Sequence, residues 1–250
     1  VQVQLIRNAL IKLCYADQTI LIDPDLAQQH SRPSFTGRSP NPTVALPLAL
    51  DEILADLDLI IVSHLHKDHF DVAEALPRDI PLFCQPENQA QIAQLGLPAQ
   101  ALEERIIWNG IEIIRTAGRH GLDEVGKLMG SVSGFVFRAA QQPTIYWVGD
   151  SVLCPEVEQV FAQYQPDIVI THSCGARWPD SANQRQLIVM DDQQTLAVCQ
   201  SLPQATIIAT HMEAVDHATI SRKDLRNAAD NAGISSEQLR IPADGEIIVL

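Results

Sequence analysis

The sequence has no CxxC pair, and its five cysteines (Cys14, Cys84, Cys154, Cys174, Cys199) are scattered and odd in number. That excludes a disulfide framework and a zinc–thiolate cluster. Free thiols are the expectation, with Cys14, Cys84 and Cys199 set among apolar residues as core. Positive charge is scarce: 17 Lys and Arg stand against 31 Asp and Glu, for a net charge of −14. Such a balance argues against general binding to nucleic acid or anionic membranes, which need basic surface. No apolar run approaches the ~20 residues of a membrane-spanning helix. No basic segment leads into an apolar stretch near residue 1, so nothing reads as an export signal and a cytoplasmic protein is expected. Low-complexity tracts, charge runs and Ser/Gly linkers are also missing. Residues 1–250 therefore read as one domain, long enough to bury a substantial core.

What the chain does contain is concentrated at His64-Leu65-His66-Lys67-Asp68-His69, where three histidines and an aspartate fall within six positions. Three imidazoles and a carboxylate suit Zn²⁺, Mn²⁺ or Fe²⁺. Buried without a cation, the same groups would need other hydrogen-bond partners to offset their desolvation. The cluster follows the apolar run Leu59-Ile60-Ile61-Val62, where a buried strand breaks into a loop.

The same arrangement recurs along the chain. Ile111–Gly118 leads through Arg119 to His120, Thr144–Gly149 to Asp150, Asp167–Thr171 to His172, and Thr206–Thr210 to His211. Five apolar strands thus finish on metal-capable residues. Further strands are expected at 2–7, 11–16 and 19–22, and a closing strand at 246–250. Helices are expected near 48–55, 86–95, 155–164, 191–201 and 221–231, the last opening at Ser221 and stopping at Gly233. Apolar strands alternating with helices imply sheets covered by helices, and ligands in such layouts collect beyond the carboxyl ends of the strands. The Pro-rich segment 25–47 is long for a loop, a length usually tied to function or disorder.

The motif His64-x-His66-x-Asp68-His69, followed in order by His120, Asp150 within Gly149-Asp150-Ser151, and His211, resembles the metallo-β-lactamase superfamily. The 39–47 loop and the closing strand resemble its ascorbate-phosphate lactonase-like branch. The resemblance implies an α/β fold, a four-layer αββα sandwich, with a dinuclear site along one edge. It further implies that His64, His66 and His120 hold one divalent ion and Asp68, His69 and His211 the other, with Asp150 between them. Zn²⁺ is favoured, with Mn²⁺ or Fe²⁺ as alternatives. The implied activity is hydrolysis of a small ester, lactone or phosphoester, anionic ones included, by a metal-bridging hydroxide. Asp68 would orient the nucleophile, and His172 would protonate the leaving group or pack behind the ligands. Asp23 would orient a ligand histidine. An iron-dependent oxidoreductase and a catalytically silent binding protein are the competing readings on the same scaffold.

Several other features carry less. Gly121–Lys127 matches most of a phosphate-binding loop, but Leu128 stands where Ser or Thr is required, Asp123 and Glu124 would repel phosphate, and no clear helix follows. Asp191 and Asp192 read as a helix cap and first-turn charges. His30 and His217 lie in polar segments and are expected to be exposed. Arg32, Arg38, Arg177 and Arg185 occupy loops expected to border the cleft, where they would suit an anionic substrate. Trp147 is expected in the core and Trp178 on a pocket wall.

Overall fold

The computed structural model describes residues 1–250. The chain opens with β1 (Gln2–Arg7), β2 (Leu10–Tyr15), β3 (Gln18–Ile22), α1 (Leu50–Leu54), β4 (Leu59–Val62), β5 (Leu82–Cys84), α2 (Gln89–Gln94) and β6 (Ala99–Ala101). It continues through β7 (Arg105–Trp108), β8 (Ile111–Ala117), α3 (Asp123–Met129), β9 (Ser133–Arg138), β10 (Ile145–Trp147) and α4 (Pro155–Tyr164). It closes with β11 (Ile168–His172), β12 (Arg177–Pro179), β13 (Arg185–Leu187), α5 (Asp192–Ser201), β14 (Thr206–Thr210), α6 (Arg222–Asn231), β15 (Leu239–Arg240) and β16 (Ile247–Val249).

Two mixed sheets of seven strands form, in the orders β16-β1-β2-β3-β4-β5-β6 and β15-β14-β11-β10-β9-β8-β7. The side-chain period of two sorts each strand between two cores. On β10, Ile145 and Trp147 join the core between the sheets, whereas Tyr146 packs outward beneath the helices. On β4, Leu59 and Ile61 face the same central core, while Ile60 and Val62 face the layer containing Ile53 of α1 and Ile92 of α2. On the other sheet α4, α5 and α6 bury Val157, Phe161, Leu196, Val198 and Leu225 against Val169 and Ile207. The strands read as continuous apolar runs because both of their faces are covered. The result is the expected αββα sandwich.

Three helix starts match their sequence signals. α4 begins with Pro155 after Cys154, α5 is capped by Asp191 accepting from Gln194 N at 3.1 Å, and α6 carries a capping box between Ser221 and Asp224. Elsewhere the structure departs from expectation. The 86–95 segment splits into a 3₁₀ turn at Pro86–Asn88 and the short α2. A helix, α3, does follow the Gly121 segment. It buries only Val125 and leaves Leu128 65% exposed, so it offers no apolar periodicity to read. Cys14 is half-buried rather than core, whereas Cys84 and Cys199 are core thiols pushed up to about 11 by burial.

Gly149 makes the turn that aims Asp150. Its φ is +74°, and a Cβ there would meet Ser133 O and Trp147 Cζ3, each at 2.7 Å. Gly149→Ala should therefore destabilise the protein by about 1–3 kcal/mol, read as a lower urea midpoint with an unchanged slope. A variant as stable as the parent would contradict this account of the turn.

Candidate metal centre

Strand direction brings the polar residues together. β3 and β4 are parallel, as are β10, β11 and β14. β8 runs antiparallel to β9, which runs antiparallel to β10. The carboxyl ends of β8, β10, β11 and β14 therefore lie on one edge of their sheet, delivering His120, Asp150, His172 and His211. The other sheet brings Asp23 from β3 and the His64–His69 turn from β4. That turn is closed by His69 N and Phe70 N donating to His66 O. Asp23 and His211 adopt left-handed conformations, with φ of 50° and 59°, so the chain bends sharply at both strand ends.

Most of the imidazoles are held from behind through Nδ1. His69 Nδ1–H donates to Asp23 Oδ2 at 2.6 Å, and His120 Nδ1–H donates to Ile188 O at 2.7 Å. Ser63 N and Oγ–H both donate to Asp23 at 2.7 Å, leaving Ser63 Oγ to accept from His64 Nδ1–H at 2.9 Å. His211 Nδ1 lies 3.5 Å from Cys174 Sγ. Fixing Nδ1–H turns the Nε2 lone pair toward the interior of the cluster, the arrangement that orients histidine ligands. The Nε2 atoms converge on Asp150: His69 at 3.1, His120 at 3.3 and His64 at 3.9 Å from Oδ2, and His211 at 3.6 Å from Oδ1. Asp68 Oδ2 stands 3.3 Å from His211 Nε2. Three tight groupings result, His64–His66–His120–Asp150, His69–Asp150–His172–His211 and Asp23–His64–His69. Asp68, expected as a ligand, stands outside all three, with His172 in its place beside His69 and His211.

These residues fit divalent cations. His64 Nε2 is buried with no hydrogen-bond partner, and the Nε2 atoms of His69 and His211 face one another at 3.2 Å. Two lone pairs cannot sit in that contact without a proton or a cation between them. Burial pushes His64 well below its ordinary value and His120 down to about 4, leaving neutral imidazoles. Burial also opposes charge on His69, but Asp150 and Asp23 outweigh it and raise His69 to about 10. His211 is raised in the same way, chiefly by Asp150. Asp68 and Asp150 are held well below the carboxylate range despite burial, through the hydrogen bond from His211 and the charge of His69 respectively. Protons on His69 and His211 thus occupy positions that a metal ion would take.

The cluster opens on a cleft of about 330 Å³, whose floor is His66, Asp68, His120 and Asp150. Phe35, Leu65, Met129, Trp178 and Ile188 wall it, so Trp178 lies where expected. His217 was expected to be exposed but is 8% exposed and lines the cleft, because Asp216 beside it is drawn inward by the 34–41 loop. His172 is not on the cleft. It is fully buried, donates through Nδ1–H to Asp150 Oδ1 at 2.6 Å and packs its ring against Trp147. The arginines are turned away as well. Arg32 binds Asp25 and Asp71, Arg38 donates to Asp216 O and Ala218 O, Arg177 pairs with Asp191, and Arg185 is exposed beside Arg177 O.

Three contributors escaped the sequence reading. Asn8, in the β1–β2 turn, places Nδ2 3.2 Å from both Asp68 O and His211 Nε2. Ser63 relays Asp23 to His64. Phe35 is a 43% exposed aromatic in the 25–47 loop. The only sequence signal for it was an aromatic residue in an otherwise polar segment.

The pH response of the metal-free protein follows from the raised pKa of His69. Its ion pairs stabilise the fold fully below the unfolded value of about 6.5 and are lost as pH rises through about 10. The chelated protein should show a falling thermal midpoint from pH 7 to 9, and the metal-loaded protein a flatter profile. Metal uptake at pH 7 should release about two protons, measured by calorimetry in buffers of different ionisation enthalpy. Uptake without proton release would refute the assignment.

Comparison with known proteins agrees with this geometry. A family described as the β-lactamase superfamily domain matches residues 18–212. The protein YddR of Bacillus subtilis is 36% identical over 250 residues, spanning 96% of each chain. The crystal structure of a possible metal-dependent hydrolase from Veillonella parvula superposes with a TM-score of 0.94 at 33% identity, covering 100% of this chain and 99% of that one. An isothiocyanate hydrolase from Delia radicum gut bacteria superposes with a TM-score of 0.91 at 32% identity and the same coverage. The chain belongs to the metallo-β-lactamase superfamily.

Proposed function

We propose that this protein is a metal-dependent hydrolase of small, uncharged molecules bearing an electrophilic carbon, with isothiocyanates as the substrate class. One observation carries the reading: the converging imidazole and carboxylate ligand set forms the floor of a cleft walled by apolar side chains. The full-length similarity to an isothiocyanate hydrolase supports the substrate class. His64, His66 and His120 would hold one divalent ion and Asp68, His69 and His211 a second, with Asp150 shared. Bound there, such ions lower the pKa of a water and polarise the electrophile.

The residues of the chain supply the rest. Asp68 lines the cleft and is held ionised, so it is placed to accept a proton from the attacking water. For an isothiocyanate, R–N=C=S and water give R–NH₂ and O=C=S. A C–O bond forms at the central carbon, both water protons pass to nitrogen, and the C–N bond breaks. His172 acts as a positioning residue through Asp150 rather than on the leaving group, because it lies behind that carboxylate. Esters and lactones present the same kind of carbon and form the second reading. A phosphoester would bring anionic charge to a cleft whose neighbouring arginines are already committed.

Metal-loaded protein should release amine and carbonyl sulfide from an isothiocyanate faster than it opens a lactone or cleaves a phosphodiester. His66→Ala and Asp150→Ala should lose metal and turnover together; undiminished hydrolysis by either variant after metal stripping would sink the scheme. His172→Ala should lower kcat by about 10–100-fold, with a smaller change in KM.

A further inference from the structure

Phe35 and His217, from two loops, and Trp178, from β12, meet edge to face above the ligand cluster. Ring centroids lie 5.2 Å apart at 87° for Phe35–His217 and 6.5 Å apart at 73° for Phe35–Trp178. Leu65, Met129 and Ile188 complete the wall. Phe35 remains 43% exposed, and a large apolar side chain left in water forgoes its transfer free energy. Its position is nevertheless tightly enforced. Asp216, 5% exposed, accepts hydrogen bonds from Phe35 N (3.1 Å), Thr36 N (2.9 Å), Thr36 Oγ1 (2.6 Å), Asn41 Nδ2 (2.9 Å) and Ser34 Oγ. Asn41 Oδ1 accepts in turn from Asp216 N at 2.8 Å. A buried carboxylate satisfied almost entirely by one surface loop makes that loop rigid, with an aromatic ring presented to the cleft.

The cations near the cleft share two carboxylates, Asp25 and Asp71. Lys67 is its one lysine or arginine, and it pairs with Asp71 at 3.3 Å. Arg32 is shared between Asp25 and Asp71.

From the aromatic and apolar wall we infer that Phe35 and Trp178 form a specificity subsite for an uncharged apolar substituent, aryl or arylalkyl, carried by the substrate. The inference rests on the proposed hydrolase reading for its reacting group, but the subsite itself does not depend on turnover. An aromatic substituent would lie against the Phe35 and Trp178 rings, where offset or edge-on contact is favourable, while its electrophilic carbon reaches the floor beside Asp68 and Asp150.

The test combines a kinetic ratio with binding of an inert probe to the metal-loaded protein. The parent should prefer benzyl over methyl isothiocyanate in kcat/KM by about tenfold or more. Phe35→Ala and Trp178→Ala should each shrink that ratio by about tenfold, with Phe35→Leu retaining more of it. Benzyl alcohol carries the aromatic group without a hydrolysable bond. It should give saturation-transfer NMR signals with the parent that weaken in both alanine variants. Metal content and circular dichroism would establish that the variants are folded. If no isothiocyanate is turned over but benzyl alcohol binds and loses binding in the variants, the subsite stands and the proposed reaction falls. If isothiocyanates are hydrolysed without preference for benzyl, or both alanine variants keep the parent ratio and probe binding, the subsite is overturned.

Discussion

The carboxylate of Asp23 is the constraint on which the site depends. It is fully buried at the end of β3, and accepts from Ser63 N, Ser63 Oγ and His69 Nδ1. One side chain thereby fixes the exit of β4, sets the tautomer of His69 directly and sets that of His64 through Ser63. Without those acceptors the imidazoles could present either nitrogen, and their lone pairs would not converge on Asp150. The charge on Asp23 is tolerable in the interior because three donors surround it, which is the usual condition for burying a carboxylate.

Around this anchor the protein keeps its concentrated charge on one edge and its apolar surface in three layers. Trp147 illustrates the coupling between them. It packs in the central core beside Phe135, yet its ring also meets His172, which holds Asp150. Packing between the sheets therefore reaches the shared carboxylate through a single intervening side chain. The raised values of His69 and His211 belong to the same design, since in the absence of a cation the facing carboxylates keep protons on them. Protonation of the cluster and core packing are thus linked through Asp150.

Much of this was legible from residue order. The run Leu59–Val62 before His64 and the corresponding runs before His120, Asp150, His172 and His211 announced buried strands ending in polar groups, because only strands covered on both faces are so uniformly apolar. Asp191 and Ser221 declared their helices by local capping chemistry. α3 did not, since its single buried residue gives no period. His217 read as exposed because its neighbours are polar; its burial comes from a loop more than 170 positions earlier in the chain folding onto Asp216. His172 looked equivalent to the other strand-end residues, and nothing local distinguishes a side chain facing the cleft from one lying behind Asp150.

Sequence alone determined the buried strands covered by helices, the candidate metal-ligating residues and the sheet edge that carries them, because strand period and strand-end position are local properties of the chain. The four-layer sandwich followed from the resemblance of its motif to a known family. Tertiary structure decided which imidazole nitrogen faces inward, that His172 braces Asp150, that the arginines turn to carboxylates and carbonyls away from the cleft, and that Phe35, His217 and Trp178 form one wall. Those outcomes depend on contacts between segments far apart in sequence, such as Asp23 with His69 and Asp216 with residues 34–41. No local pattern encodes which distant donor will satisfy a buried carboxylate, so the candidate ligand set was readable from the chain while the shape of its cleft was not.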